Sequence, residues 1–337
     1  MKKKCYTLEK VLVFVFILLT IFFMSSLYGI DFKEKLSIDQ ARKDANQLIF
    51  SLQQQGYHAI KLIVKRNHYF INIKINGKHF QFCLDTGALK TVLRYDNFKQ
   101  LHLSSSSYRL DKRAAVSSSP TDHNKKLFYT KADTFQVGNV IFKPWIIKVN
   151  KRLKLYSLLG ADFLRFTRAI IICRFGILMI SSSQKSAKNI QTILKKYKYA
   201  KLFRNENKRR IAIKQLNNSD SISLTYGRLI VPMVYGDIRT YAMIDTGSPY
   251  TSLQYSFLQN KTFINTKVYK YHMLNFAKER ELLQTIVFSN LAVGRLKLQN
   301  RSVWVSTMMG SNLVGLDILV HHNGIIDFGN QMIYMHE

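Results

Sequence analysis

Charged and apolar positions are unevenly distributed along this chain of 337 residues. Residues 11–30 contain no charged side chain and follow a lysine-rich start, which predicts a targeting segment over residues 1–30. The length of the run favours an uncleaved membrane anchor. A cleavable signal peptide stays open, because Ser25, Ser26 and Gly29 are small. The basic flank predicts a single-pass protein with a cytoplasmic N-terminus and the rest extracytoplasmic, in the periplasm of a Gram-negative cell.

The pattern then changes from helical to β. Apolar residues three and four positions apart predict a helix over residues 36–55, with Ser37 as its N-cap, within a helical stalk of residues 31–60. Short apolar runs bounded by glycine turns predict two β regions, residues 61–182 and 226–337.

Residues 183–225 between these regions are strongly basic. Lys185 to Lys214 contain eleven lysines or arginines and a single acid, Glu206. Helical spacing of Ile190, Ile193 and Leu194 predicts a basic, partly helical linker. Two interpretations remain: a surface for anionic lipid or an acidic partner, and a solvated connection between domains.

The two β regions repeat one another. Each contains a strand and a glycine turn, then an apolar run that ends in Asp-Thr-Gly, then Val-Gly, and finally two apolar residues and a glycine. The matching segments are 69–77 and 229–236, 82–88 and 242–248, 137–138 and 293–294, and 158–160 and 313–315. Asp85 precedes Gly160 by 75 positions, and Asp245 precedes Gly315 by 70. Four landmarks in one order indicate an internal duplication.

The aspartates of the two triplets carry the candidate chemistry. Each follows an apolar run that reads as a buried strand, where an unpaired carboxylate is costly. The interpretation with the lowest free-energy cost is that Asp85 and Asp245 face each other and share a proton.

These motifs resemble the retropepsin-like aspartic peptidases. The resemblance covers about residues 66–182 and 226–335, with the unit size of retropepsin and the unit count of pepsin. It implies an all-β fold of two β-barrel lobes related by a pseudo-twofold, preceded by the transmembrane helix and a short amphipathic helix. It also implies an intramolecular pseudo-dimer with a polypeptide substrate and no cofactor or metal.

The resemblance also implies roles for individual residues. Asp85 and Asp245 would be the catalytic pair of a membrane-anchored aspartic endopeptidase, activating a water molecule between them. Thr86 and Thr246 would hydrogen bond across the pseudo-twofold, and Gly87 and Gly247 would let the backbone approach the carboxylates. Ala88 and Ser248 would also support the dyad. The structural apolar-Gly positions would be Leu159, Gly160, Val314 and Gly315.

Two further expectations depend on the loops. A Ser248 hydroxyl is able to donate to the nearby carboxylate, whereas Ala88 is not, so we expect activity from mildly acidic to near-neutral pH. The flaps that close over substrate are expected within residues 104–120 and near residues 275–281. For the first of these intervals, a disordered surface loop is the alternative.

Net charge and cysteine content do not decide the function of the chain. A net charge of +31 suggests nucleic acid, but no nucleic-acid-binding signature is present and an exported domain would meet little of it. Whether Cys83 and Cys173 form a disulfide is left open. The alternatives to an active enzyme with one internal site are an inactive peptide-binding or scaffolding relative and pairing of lobes between two chains.

Overall fold

The structure is a computed structural model that describes residues 32–103, 127–183, 187–196, 199–204, 228–236, 238–254, 269–274, 280–306 and 311–336. The chain divides into two compact units, residues 1–48 and 49–337. The targeting segment predicted over residues 1–30 lies outside the described residues. Within the described ranges, none of the helices is both long and apolar enough to cross a membrane.

The elements are numbered here in chain order over the described residues. The helices are α1 (Phe32–Gln53), α2 (Tyr95–Leu101), α3 (Ala161–Phe166), α4 (Ile190–Lys196) and α5 (Leu316–His321). The strands are β1 (Tyr57–Lys61), β2 (Ile63–Lys65), β3 (His68–Ile75), β4 (Lys78–Leu84), β5 (Val92–Arg94), β6 (Leu127–Ala132), β7 (Phe135–Val137), β8 (Val140–Phe142), β9 (Trp145–Asn150), β10 (Ser157–Leu159), β11 (Ile170–Ile172), β12 (Ile177–Ser181), β13 (Tyr199–Arg204), β14 (Ile230–Tyr235), β15 (Ile238–Ile244), β16 (Ser252–Gln254), β17 (Tyr269–Leu274), β18 (Arg280–Val293), β19 (Leu296–Ser306), β20 (Asn312–Val314), β21 (Ile325–Asp327) and β22 (Met332–His336).

The predicted helix near the N-terminus is present, but its start was placed wrongly. Helix α1 begins at Phe32, so Ser37 lies inside it and is not its N-cap. The chain leaves the helix through Gly56, whose positive φ of 84° is a backbone conformation that glycine adopts without steric cost. The helical pattern therefore located the element, whereas the N-cap signal did not locate its first residue.

Both predicted β regions fold into lobes built on the same plan. In the first lobe the strand order is β6-β9-β5-β10-β4-β3-β7-β8, with β2 beside β3. In the second lobe the order is β14-β15-β20-β16-β19-β18-β17, and β14 also pairs with β18, so the sheet closes on itself. The all-β architecture of two barrel-like lobes is thereby confirmed.

The lobes differ in the continuity of one hairpin. In the second lobe β18 and β19 form one continuous pair, from Val293 and Leu296 to Leu283 and Ser306. The corresponding part of the first lobe is divided into two shorter pairs, β6 with β9 and β7 with β8. Pro144 lies between β8 and β9, where its missing N–H cannot join a ladder.

A third sheet joins the lobes. Its strand order is β1-β12-β11-β21-β22-β13, so three strands belong to each half and the lobes meet between β11 and β21. Ile171 pairs with Ile326 at this junction, and both side chains are buried. Because this sheet is continuous across the junction, the backbone holds the two lobes in one arrangement.

The basic interval between the lobes is more than a connection. Part of it is helical, as predicted, and α4 buries Ile190 and Leu194. Its continuation, β13, pairs with β22 and forms the edge of the joining sheet. Along the chain, a helix precedes each edge strand, α1 before β1 and α4 before β13, so the duplication extends to these elements.

Candidate active site

The aspartates of the two Asp-Thr-Gly triplets are positioned by the same arrangement of strands in both lobes. Strand β10 lies parallel to β4 and antiparallel to β5, and β20 lies in the same way between β15 and β16. The Asp85 N–H donates to the Leu159 carbonyl at 3.0 Å, and the Asp245 N–H donates to the Val314 carbonyl at 3.0 Å. The apolar-apolar-Gly segment of each lobe therefore fixes the backbone of its aspartate.

Gly160 and Gly315 occupy positions where no larger residue fits. A Cβ atom on Gly160 would lie 2.5 Å from the backbone carbonyl of Lys90, and one on Gly315 would lie 2.3 Å from the carbonyl carbon of Tyr250. Backbone atoms cannot give way as the end of a flexible side chain can. The two glycines therefore allow the loop that follows each aspartate to cross the strand beside it.

Thr86 and Thr246 connect the two loops across the lobe boundary. The Thr86 hydroxyl donates to the Ile244 carbonyl at 2.7 Å, and the Thr246 hydroxyl donates to the Leu84 carbonyl at 2.8 Å. Each hydroxyl also accepts from the backbone N–H of the other threonine. Both side chains are buried, so these hydrogen bonds replace water entirely.

The structure brings Asp85 and Asp245 together. Their carboxyl groups are within hydrogen-bonding reach of each other, and each changes the pKa of the other. Asp85 is buried, whereas Asp245 is partly exposed. The Ala88 N–H donates to Asp85 Oδ1 at 2.7 Å, and the Gly247 N–H donates to Asp245 Oδ1 at 2.8 Å.

The glycines of the two triplets permit this approach. A Cβ atom on Gly87 would lie 2.7 Å from Asp245 Cγ, and one on Gly247 would lie 2.6 Å from Asp85 Cγ. Such distances are shorter than any van der Waals contact, so only glycine allows each loop to touch the carboxyl group of the other lobe.

Burial is the main cause of the electrostatic behaviour of the pair. It raises the pKa of Asp85 well above its usual range, and the neighbouring Asp245 charge raises it further. Burial also raises the pKa of Asp245, while the Gly247 N–H, Asp85, the Gly87 N–H and Arg228 lower it. Two carboxyl groups in this position retain one proton between them over a range where free carboxylates have lost both.

Ser248 does not do what its position suggested. Its hydroxyl donates to the Tyr250 carbonyl at 2.7 Å instead of to Asp245. The expected serine-to-carboxylate hydrogen bond is therefore wrong, because the hydroxyl proton is used by a backbone carbonyl two residues later.

Sequence reasoning missed a threonine–aspartate pair in each lobe, in which the threonine is buried and the aspartate is half-buried. Asp162 Oδ1 accepts from the Thr91 N–H at 2.7 Å, the Thr91 hydroxyl at 2.8 Å and the Phe163 N–H at 2.8 Å. Asp317 accepts in the same way from Thr251 and from the Ile318 N–H. The sequence did contain a signal for these pairs. In both repeats a Thr follows the Asp of the Asp-Thr-Gly triplet by six positions, and a second Asp follows Gly160 or Gly315 by two positions.

Arg228 was also missed. It is 5% exposed, and its Nε–H donates to the Gly87 carbonyl at 3.1 Å. It precedes the second repeat at a position where the first repeat has a different residue, so a search for repeated motifs passes over it.

A small apolar cluster borders Asp85, separate from the main core. It consists of Phe70, Cys83, Val92, Leu153 and Leu158, with Ala88 and Tyr156 packed against it. Side chains alternate along a strand, and Cys83 therefore lies on the same face as Asp85, two residues later. Cys83 and Cys173 are both buried free thiols and are not bridged.

The two predicted flaps are described unequally. Residues 104–120 lie outside the described residues. In the second lobe, β17 and β18 form the predicted hairpin, with Leu274 paired to Arg280 at its described end. The tip, residues 275–279, lies outside the described residues.

Comparison with known proteins found one family model and several similar solved structures. Residues 71–166 match a family model described as gag-polyprotein putative aspartyl protease. A retropepsin-like aspartic protease from Rickettsia conorii is similar at 21% identity, with 37% of this chain and 91% of that chain covered and a TM-score of 0.28. An aspartic proteinase from Irpex lacteus is similar at 14% identity, with 83% and 97% covered and a TM-score of 0.41. Curated protein sequences gave no match.

The family match covers most of the first repeat. It includes Asp85, the Thr-Gly that follows and Gly160, which are the residues that carried the resemblance in the sequence. The second lobe repeats the same loop, the same threonine contacts and the same glycine crossings. The first repeat therefore resembles an aspartyl protease unit, and the second lobe repeats the same features.

Proposed function

We propose that this protein is an aspartic endopeptidase whose single active site is formed within one chain by Asp85 and Asp245. The observation that carries the proposal is that the two Asp-Thr-Gly loops make equivalent contacts with each other. Each glycine lies against the carboxyl group of the other lobe, and each threonine hydroxyl bonds to a carbonyl of the other lobe. An arrangement that needs both lobes supports one shared site in preference to two separate ones.

The chemistry follows from the shared proton. The ionised carboxylate accepts a proton from a water molecule as that water attacks the scissile carbonyl carbon. The protonated carboxyl group donates a hydrogen bond to the carbonyl oxygen and stabilises the charge that develops there. Collapse of the tetrahedral intermediate transfers a proton to the leaving amine, and no acyl-enzyme forms.

The substrate in this proposal is a polypeptide with an apolar side chain beside the scissile bond. Ala88 and Tyr156, which are half-buried and pack against the cluster around Phe70 and Leu158, offer an apolar wall near Asp85. Burial of an apolar substrate side chain against such a wall would stabilise binding by about 25 cal/mol per Å².

The proposal also places the enzyme at a membrane. The uncharged run of residues 11–30 supports an N-terminal anchor with a cytoplasmic N-terminus and an extracytoplasmic catalytic part. Lys188 and Lys195, which are exposed, and the lysine- and arginine-rich sequence around them support a contact with anionic lipid headgroups. Protease protection in sealed vesicles tests the topology, because an extracytoplasmic catalytic part would be degraded only when added protease reaches that side.

The decisive experiment uses full-length protein, purified in mild detergent because residues 11–30 are apolar. It is incubated with a peptide library, with and without an active-site-directed aspartic protease inhibitor. Asp85→Asn and Asp245→Asn are each expected to abolish cleavage, and Asp96→Asn, at an exposed acid on α2, serves as the matched control.

Activity per molecule that stays constant on dilution supports one internal site. Cleavage that survives either dyad substitution would contradict the proposal. Absence of any cleavage by the native protein, with inhibitor binding retained, would favour a peptide-binding role.

A further inference from the structure

Arg228 is a buried arginine at the beginning of the second lobe, two residues before β14. Its Nε–H donates to the carbonyl of Gly87, which belongs to the catalytic loop of the first lobe. An arginine that is 5% exposed is uncommon, because desolvation of its charge is costly unless nearby groups compensate. Nearby groups must therefore compensate the buried charge of Arg228.

The Gly87 carbonyl belongs to the peptide group whose N–H is that of Ala88. This N–H donates to Asp85 Oδ1 at 2.7 Å. One peptide group thus accepts from the Arg228 guanidinium on one side and donates to the Asp85 carboxylate on the other. Consecutive hydrogen bonds of this kind polarise one another, so the cation strengthens the Ala88 bond to Asp85.

Arg228 also acts on Asp245. In β14 and β15, Ile230 pairs with Met243, and the Ile244 N–H donates to the Leu229 carbonyl. The same antiparallel register places residue 228 opposite residue 245, and its charge acts on the Asp245 carboxylate. The arginine is therefore connected to both members of the dyad by different routes.

The first lobe has no equivalent fixed charge at this position. Phe70 pairs with Cys83, so the corresponding register places His68 opposite Asp85. His68 is not buried, and its Nδ1 lies 2.7 Å from the Arg66 carbonyl oxygen. The two halves of the candidate active site thus differ at a position where their backbones match.

We propose that Arg228 is a positioning residue of the site, which fastens the Gly87–Ala88 peptide against Asp85 and keeps a fixed positive charge beside Asp245. This inference rests on the proposed peptidase function. It adds that Arg228 makes the dyad asymmetric and lets it work at a lower pH than the same pair without the cation.

The direction of the effect follows from the charges around the dyad. Among the described residues, Arg228 and the Cys83 thiol each interact electrostatically with both carboxyl groups. Burial and the two carboxylates raise the pKa of Cys83 well above its usual range, so the thiol stays neutral. Burial lowers the pKa of Arg228 and the carboxylates raise it, and a guanidinium stays protonated at any working pH.

A positive charge favours the ionised form of a carboxyl group and lowers its pKa. Removal of Arg228 therefore raises both apparent pKa values of the dyad. Activity requires one ionised and one protonated carboxyl group, so both limbs of the bell-shaped pH profile move to higher pH, by about one unit for a charge this close.

The test compares Arg228→Gln with Arg228→Lys in the full-length protein. The profile of kcat/KM against pH is expected to shift upward by about one unit in R228Q and to stay in place in R228K, which keeps the charge. Arg239→Gln, at an exposed position on the same hairpin, serves as the matched control and should leave the profile unchanged.

A second measurement does not depend on activity. The dyad carboxyl carbons are titrated by NMR in protein labelled with 13C at aspartate, with D85N and D245N used for assignment. The same upward shift of about one unit is expected in R228Q. If the native protein cleaves nothing but this shift occurs, the proposed function fails and the role of Arg228 stands.

Three outcomes would overturn the inference. The first is an unchanged carboxyl titration in folded R228Q. The second is a shift in R228K as large as that in R228Q, which would show that the charge is not responsible. The third is a lower kcat in both variants with unmoved pH limbs, which would indicate a purely structural arginine. If R228Q does not fold, Arg228→Met, which also lacks the charge, replaces it in the same comparison with R228K.

Discussion

Thr86 and Thr246 exchange hydrogen bonds across the boundary between the two lobes. The backbone N–H of Thr86 donates to the Thr246 hydroxyl at 3.2 Å, and the backbone N–H of Thr246 donates to the Thr86 hydroxyl at 3.0 Å. Each hydroxyl then donates its own proton to a carbonyl of the opposite lobe. Neither lobe could satisfy these buried groups alone, so the relationship ties stability and catalytic geometry together.

Thr246→Val should therefore reduce both properties. The change keeps the side-chain shape but leaves the Leu84 carbonyl and the Thr86 N–H without partners in a buried place, at a cost of about 2–4 kcal/mol. Chemical denaturation measures the loss, and the peptide assay should show a matching loss of activity. Thr246→Ser keeps the hydroxyl and is the control. Equal stability of the valine and serine variants would show that the hydroxyl contributes nothing.

The half-buried Asp162 should prove to be a structural acid whose oxygen, rather than its charge, is needed. Three donors converge on Asp162 Oδ1, two from Thr91 and one from the Phe163 N–H. Asp162→Ala leaves these three donors without an acceptor and should destabilise the fold by about 2–4 kcal/mol. Asp162→Asn keeps an acceptor oxygen at the same place and should cost less than about 1 kcal/mol. The two variants are compared by urea denaturation, and an asparagine variant as unstable as the alanine variant would implicate the charge instead.

Leu194 tests whether the basic interval is part of the fold. Its side chain is 1% exposed on α4, whereas Lys195 beside it is exposed. Leu194→Ala should lower the free energy of unfolding by about 2–4 kcal/mol through lost burial and a cavity, while Lys195→Ala should change it by less than about 0.5 kcal/mol. Thermal unfolding followed by circular dichroism measures both. A stable Leu194→Ala protein would restore the interpretation of a solvated connection.

The dyad should make stability depend on pH in an unusual direction. Because the pKa of Asp85 is raised above that of a free carboxyl group, the folded protein binds more protons than the unfolded chain above about pH 4. The free energy of unfolding should consequently fall as pH rises, by up to about 1.4 kcal/mol per pH unit for one proton. The fall should end once pH exceeds the folded-state pKa.

Asp85→Asn should reduce this slope, because it removes one of the two carboxyl groups whose pKa is raised by burial. The quantity to compare is the difference between native and variant, because burial also raises the pKa of Asp162, Asp317 and Asp327 and adds to the native slope. Asp96→Asn is the control, for the pKa of Asp96 is lowered by its hydrogen bond to Arg94. A native slope that D85N leaves unchanged would mean that the dyad binds no extra proton.

Much of the architecture follows from the linear order of residues. Apolar runs broken by glycine predicted the strands around Asp85 and Asp245, and duplication predicted two lobes of one plan. These features are local in the sequence or occur twice. A pattern that occurs twice in one chain supports a single interpretation of both copies. Less was predictable where a segment differs between repeats, as in the basic interval, whose β13 pairs with β22 far along the chain.

The amino-acid sequence by itself determined which residues are chemically able to form the site: two carboxylates on buried strands, each followed by a threonine and by a glycine that leaves room. Only the tertiary structure decided how their charges are set, since Ser248 turned to a backbone carbonyl while Arg228 reached across to Gly87. The physical reason is that a side chain bonds to the nearest suitable partner in space, and here those partners come from a local turn and from the other lobe. The identity and spacing of residues do not give the distance between two groups in space, so neither of these contacts could be predicted from the sequence.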